Sequence, residues 1–206
     1  MAVDDRLEFP LVDSSYDNEE IISCIATLLS GQLTMGPQVR AFEAQFAQFC
    51  GAPYAVMVNS GSSANLLAVS ALVNPLRKGH LKPGDKVAVP AVCWSTSLWP
   101  IIQMGLTPVL VDVDPETLNL SIPSFKQALS RHELRAVMMV HVLGNSTHMR
   151  ELLEITSNEN LLLIEDTCES LGSTFEGRML GSLGDFGTFS FYFSHHMTTI
   201  EGGMVL

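Results

Sequence analysis

The chain has 206 residues, 47% hydrophobic and 16% charged, with a net charge of −11. This is a core-forming globular composition for one domain or slightly more, and it excludes a disordered chain. The negative charge also argues against a nucleic-acid partner, which selects a basic face.

The N-terminal stretch MAVDDRLEFP is acidic and has no apolar core, so no secretory signal is expected. The apolar runs are far shorter than the ~20 residues a membrane span needs. Cys24, Cys50, Cys93 and Cys168 contain no CxxC pair and match no zinc spacing, so no metal site is expected. The chain reads as cytoplasmic, with reduced thiols placed in strands or helices.

The first fifty residues predict two helices. Ile21, Ile22, Ile25, Leu28 and Leu29 form an apolar stripe over Glu19–Leu29, stopped by Gly31. Phe42, Phe46 and Phe49 mark a second helix over Val39–Phe49, ended by Gly51. Short apolar strands then alternate with amphipathic helices. The predicted strands are Ala55–Val58, Lys86–Pro90, Pro108–Val113, Ala136–Val142, Leu161–Glu165, Phe189–Phe193 and Gly203–Leu206. The predicted helices are Ser62–Val73, Ser95–Met104, Pro123–Ser130 and Thr147–Thr156. This alternation predicts an α/β fold, a mostly parallel sheet sandwiched by helices. Ligands of such sheets bind beyond the carboxyl ends of the strands. The segments to inspect are therefore Asn59–Ala64, Ala91–Trp94, His141–Asn145, Asp166–Glu169 and Ser190–His196.

Asn59-Ser-Gly-Ser-Ser-Ala64 follows a strand and opens a helix. Small residues, free N–H groups and hydroxyls there make a phosphate site, or simply a Ser-capped helix start. Asp166 ends an apolar strand, where a carboxylate holds a metal or a protonated ring nitrogen, or caps a turn. Trp94 offers a flat face to a flat ligand, or fills the core. His195 and His196 are adjacent and, on an extended segment, point to opposite sides.

Taken in order, these motifs resemble the DegT/DnrJ/StrS sugar aminotransferase family: Ser-Gly-Ser-Ser-Ala, an aromatic after the next strand, His-Val-Leu-Gly, Glu-Asp-x-Cys-Glu-Ser, Gly-Asp-Phe-Gly-Thr-Phe-Ser-Phe-Tyr and Thr-Thr-x-Glu-Gly-Gly. The likeness runs from about Pro10 to Leu206. It implies a pyridoxal-phosphate fold-type I enzyme acting on nucleotide-linked keto-sugars, with residues 1–50 an N-terminal helical segment and 51–206 part of the cofactor-binding large domain. By resemblance, Gly61, Ser62, Ser63 and Ser190 hold the cofactor phosphate, Trp94 stacks on the ring and Asp166 faces the ring nitrogen. Glu169 contacts the ring hydroxyl or the substrate amine. His141 and Asn145 lie on a loop reaching the same site, and His196 is structural or substrate-adjacent.

One position departs from the aminotransferases. Five residues after Ser190, where they carry the Schiff-base lysine, this chain has His195, and its only lysines are Lys78, Lys82, Lys86 and Lys126. The Ser-His-His-Met-Thr-Thr segment resembles the lysine-less branch, the nucleotide-sugar 3-dehydratases of deoxysugar and polysaccharide biosynthesis. That branch implies pyridoxamine 5′-phosphate as resting cofactor and His195 as the base that removes the cofactor C4′ proton while the C3 hydroxyl of a 4-keto-6-deoxyhexose leaves. A sugar aminotransferase and a non-catalytic cofactor- or sugar-binding relative are the alternatives. The loop Leu143–Ser146 carries Ser146 where these dehydratases often carry Pro. The resemblance also implies a homodimer with shared active sites and, in one dehydratase subtype, a separate reductase partner. It further implies that the chain is a fragment, with a small C-terminal domain beyond Leu206.

Overall fold

A computed structural model describes residues 16–206. The start of the expected N-terminal segment and the Pro10 end of the family likeness lie outside the described residues. Helix α1 spans Asn18–Leu29 and opens with an Asp17/Glu20 capping box. Helix α2, Pro37–Cys50, has Pro at its first turn and stops at Gly51, which takes the left-handed conformation of a C-terminal cap (φ +70°).

The rest alternates as the hydrophobic pattern predicts. The order is β1 (Val56–Val58), α3 (Gly61–Val73), β2 (Lys86–Pro90), α4 (Ser95–Gln103), β3 (Thr107–Val111), α5 (Ile122–Arg131), β4 (Leu134–Val140), α6 (Met149–Asn158) and β5 (Leu162–Asp166). A short hairpin of β6 (Thr174–Phe175) and β7 (Arg178–Met179) follows, then β8 (Phe186–Ser190) and β9 (Gly203–Val205). Seven strands form one sheet in the order β1-β9-β8-β5-β4-β2-β3. Neighbours from β8 to β3 are parallel, and β9 runs antiparallel between β1 and β8.

Strand side chains alternate between the two faces, and each face meets its own helices. Val87, Val89, Ala136, Met138 and Ile164 pack with Ala68, Leu72 and Ile101 of α3 and α4. Ala88, Val137, Met139 and Leu163 pack with Phe125, Met149 and Leu152 of α5 and α6. Helix α2 docks separately: Phe46 meets Phe189 at 5.0 Å and Phe191 at 5.3 Å, both edge-on. Among the described residues, no helix is long and apolar enough to cross a membrane.

Four expectations are corrected. The strand expected over Phe189–Phe193 begins three residues earlier and ends at Ser190. Its aromatic run marked burial, but pairing with β5 and β9 sets its limits. His195 and His196 therefore sit on a turn rather than on a strand. The stripe of α1 is exposed, with Ile22 at 64% and Leu29 at 83%, because no face of the sheet reaches it. Of the four thiols, Cys93 and Cys168 lie on loops after β2 and β5, outside strands and helices. The β6–β7 hairpin carried only a weak signal, the Glu176-Gly177 pair whose positive φ values (50° and 77°) form its turn.

Phe46 anchors α2 to the sheet. Phe46→Ala should lower stability by about 3–5 kcal/mol in urea melts, whereas the exposed Phe49→Ala should stay within roughly 0.5 kcal/mol.

Candidate active site

A cavity of about 700 Å³ opens where the parallel strands end. The segments after β2, β4, β5 and β8 line it, together with the first turn of α3. This is the position fold logic assigns to a ligand in such a sheet.

The α3 turn forms one wall. The first N–H groups of a helix have no intrahelical acceptor. Ser60 Oγ caps one of them, accepting from Ser63 N at 3.1 Å. Gly61 and Ser62 face the cavity, and the Ser62 hydroxyl donates to Thr96 Oγ1 at 3.2 Å. A Cβ at Gly61 would lie 2.7 Å from Ser190 Cβ and 2.8 Å from Cys168 Sγ. Only glycine lets the helix start approach the end of β8 this closely.

Asp166 forms the floor. It is 4% exposed, and its Oδ2 accepts from Asn65 Nδ2 at 2.8 Å and from Ser97 Oγ at 2.7 Å. Its Oδ1 accepts from Cys168 N at 3.2 Å. Asn65 is held in turn by Thr188 Oγ1, which donates to its Oδ1 at 2.6 Å. Helices α3 and α4 and strand β8 thus orient one carboxylate. Trp94, 71% exposed at the start of α4, presents an uncovered aromatic face to the same space.

His195 reaches the cavity from the turn after β8, with Tyr192 packed edge-on against it at 6.0 Å. Burial lowers the His195 pKa from its ordinary value. Glu169 and Asp166 pull it up and His196 adds to the lowering, and burial prevails. Both cavity thiols are raised, chiefly by burial and then by Asp166, which makes them poor nucleophiles.

The structure brings Gly61, Ser62, Trp94, His141, Asp166, Glu169, Ser190 and His195 around this cavity. Ser63, Asn145 and His196 are not in its lining. The Ser63 hydroxyl takes a bond from Ser60 Oγ at 3.1 Å, and Asn145 Nδ2 donates to Thr117 O at 3.3 Å. His196 is exposed on its turn, where strand alternation gives no guide to direction. His141 lines the cavity, but its ring is fully buried and engaged at both nitrogens. Nε2 meets Glu165 Oε2 at 2.9 Å and Nδ1 meets Ser146 Oγ at 2.9 Å. Sequence reasoning missed Asn65 and Ser97, although a polar Asn65 inside the apolar run Ala64–Ala68 was a readable signal. It also missed Tyr192 and Glu201, which line the cavity.

Residues 14–206 match the model of the DegT/DnrJ/EryC1/StrS aminotransferase family. The chain belongs to this family. It is 42% identical over 200 residues to a GDP-4-keto-6-deoxy-D-mannose 3-dehydratase of Escherichia coli O55:H7, covering 97% of this chain and 51% of that protein. It is 37% identical to a GDP-perosamine synthase of Caulobacter vibrioides, covering 95% of this chain and 50% of that protein. The structure superposes on E. coli GDP-4-keto-6-deoxy-D-mannose-3-dehydratase with bound hydrated PLP at a TM-score of 0.92 and 42% identity, covering 97% of this chain and 51% of that chain. The chain spans about half the length of these relatives, and over that half it has the fold of a pyridoxal-phosphate fold-type I enzyme.

Behind the cavity, Glu165 is fully buried. Its Oε1 accepts from Leu183 N and Gly184 N, both at 2.7 Å, and its Oε2 from Gly181 N at 3.0 Å. Burial pushes its pKa up, but the bond and charge of His141 and the backbone N–H groups outweigh this and hold it below the ordinary 4.5. A carboxyl lowered by folding contributes stability above its unfolded pKa and loses it as pH falls through its folded pKa. Glu165→Gln should therefore cost roughly 3 kcal/mol at pH 7. In urea melts the gap to wild type should narrow as the pH drops below 4.5.

Proposed function

We propose that this chain provides the cofactor-binding part of a pyridoxamine-phosphate-dependent 3-dehydratase acting on a nucleotide-linked 4-keto-6-deoxyhexose. The observation that carries the reading is His195 at the cavity wall. Among the described residues no lysine lines that cavity, and no lysine follows Lys126 in the sequence.

The residues fit the cofactor. The Gly61 cradle, the hydroxyls of Ser62 and Ser190 and the start of α3 suit a phosphate. Trp94 suits a planar ring, and the fixed carboxylate of Asp166 suits a protonated ring nitrogen. Glu169 suits the ring hydroxyl or the amine. When bound, pyridoxamine phosphate supplies a primary amine and an electron-accepting ring. His195 would be the group that moves a proton, taking it from the amine-bearing carbon and giving one to the departing C3 oxygen of the sugar. A histidine with a lowered pKa stays unprotonated at neutral pH, which suits it as the base. Asn65 and Ser97 keep Asp166 from rotating while this happens. On the family resemblance alone, the same reading carries a cytoplasmic homodimer with shared sites and, in one dehydratase subtype, a separate reductase partner.

A sugar aminotransferase is the second reading, favoured by the likeness to GDP-perosamine synthase. The two separate cleanly. A dehydratase releases its cofactor on dialysis and yields a 3-deoxy sugar lighter by one oxygen, the two hydrogens coming as the cofactor amine is oxidised to the aldehyde and ammonia is released, whereas an aminotransferase keeps a borohydride-reducible adduct. Sugar binding with no product at all would mark a non-catalytic relative.

His195→Asn should slow dehydration about a hundredfold or more while pyridoxamine phosphate still binds. Wild-type speed in this variant would remove His195 from the reaction. The rate of the wild type should hold as pH falls to about 6.5 and drop below it, because the His195 pKa lies beneath the ordinary imidazole value. Gly61→Ala should weaken pyridoxamine-phosphate binding at least about tenfold by equilibrium dialysis, since the new Cβ meets Ser190.

A further inference from the structure

The turn after β4 has a geometry its connecting role does not require. Leu143 sits at φ 53°, ψ 37°, a left-handed conformation that residues with a Cβ rarely hold, and its side chain is 76% exposed. Core packing therefore does not impose this shape. Hydrogen bonds do. Val142 N donates to Asn119 Oδ1 at 3.0 Å, and Gly144 N donates to Ser170 Oγ at 3.0 Å. Ser170 Oγ also donates to His141 O at 2.7 Å. The far end of the turn is drawn back to its beginning by Ser146, whose Oγ lies 2.9 Å from His141 Nδ1.

His141 makes a firm post for that bond. Its ring is fully buried and its Nε2 faces the Glu165 carboxylate. The ring faces Glu165 with Nε2 and the Ser146 hydroxyl with Nδ1, and a hydroxyl can pair with that nitrogen as donor or as acceptor. The turn so held places Val142 in the cavity lining.

We propose that Ser146 is a positioning residue for substrate binding: its hydroxyl, bonded to buried His141, clips the Val142–Asn145 turn in the shape that forms the Val142 wall against which the sugar is held. The substrate part of this rests on the dehydratase reading; the clip itself does not. Ser146 touches no reacting atom, so its loss acts on affinity and not on the chemical step.

The test uses Ser146→Ala and Ser146→Thr in the full chain. Without cofactor, the Gly144 and Asn145 amides of Ser146→Ala should exchange with solvent about fivefold faster, equivalent to roughly 1 kcal/mol at 1.4 kcal/mol per tenfold. The Met138 amide inside β4 should be unchanged, which separates a loosened turn from a weakened fold. With pyridoxamine phosphate supplied in excess, since each turnover consumes one equivalent, KM for a nucleotide-linked 4-keto-6-deoxyhexose should rise about fivefold at constant kcat. Ser146→Thr, which keeps the hydroxyl, should restore both. Unchanged exchange in Ser146→Ala overturns the clip, and faster exchange with an unmoved KM, or a lower kcat at constant KM, overturns its role in binding. The exchange arm needs no turnover, so it decides the clip even where the wild type fails to dehydrate, an outcome that would sink the dehydratase reading instead.

Discussion

Two adjacent carboxylates end β5, and the pleat of the strand sends them to opposite sides. Asp166 turns to the cavity, where Asn65 and Ser97 hold it from α3 and α4. Glu165 turns into the scaffold, where it gathers the Gly181–Gly184 turn and His141. A buried carboxylate is costly unless its oxygens are fully bonded, and here three backbone N–H groups and an imidazole meet that demand. The scaffold carboxylate thus ties the ends of β4 and β5 to the chain leading into β8, and the cavity is built on those ends.

From that anchor the polar network spreads in two directions. Through Asn65 it reaches Thr188 on β8, so the strand that delivers Ser190 and leads to His195 is registered against the same helix whose first turn forms the anion cradle. Through His141 it reaches Ser146 and the turn after β4. The walls of the cavity are therefore set by short side-chain bonds between elements far apart in the chain, with spacings such as 101 residues for Asn65–Asp166. Such networks rigidify a site only when every member is bonded, and among the described residues no buried side-chain polar atom lacks a partner.

The electrostatics of the cavity follow from the same arrangement. Asp166, Glu169 and Glu201 line it, whereas among the described residues no arginine or lysine does. His195 is the basic group left to trade protons, and its partial burial favours the neutral form. Replacing a lysine with an imidazole at this place changes what the chain can do: a histidine moves protons near neutral pH but does not hold a carbonyl cofactor covalently.

The sequence by itself determined the layered α/β architecture, because strand and helix periodicities are local: β2 runs over Lys86–Pro90 as its apolar pattern predicts. It also determined which loops meet, since parallel strands place their carboxyl ends on one edge, and the lysine-free His195 segment was plain from residue identity alone. Tertiary structure decided what periodicity does not encode. It moved the β8 strand to Phe186–Ser190, because its limits follow from pairing with β5 and β9 and not from its aromatic run. It left the α1 stripe exposed, because an apolar stripe carries no information about what covers it. It also buried the His141 ring between Glu165 and Ser146 at the edge of the cavity, a pairing that the residue's place on the loop did not disclose. The partners of a side chain lie across the fold, and their distances exist only once the sheet has closed.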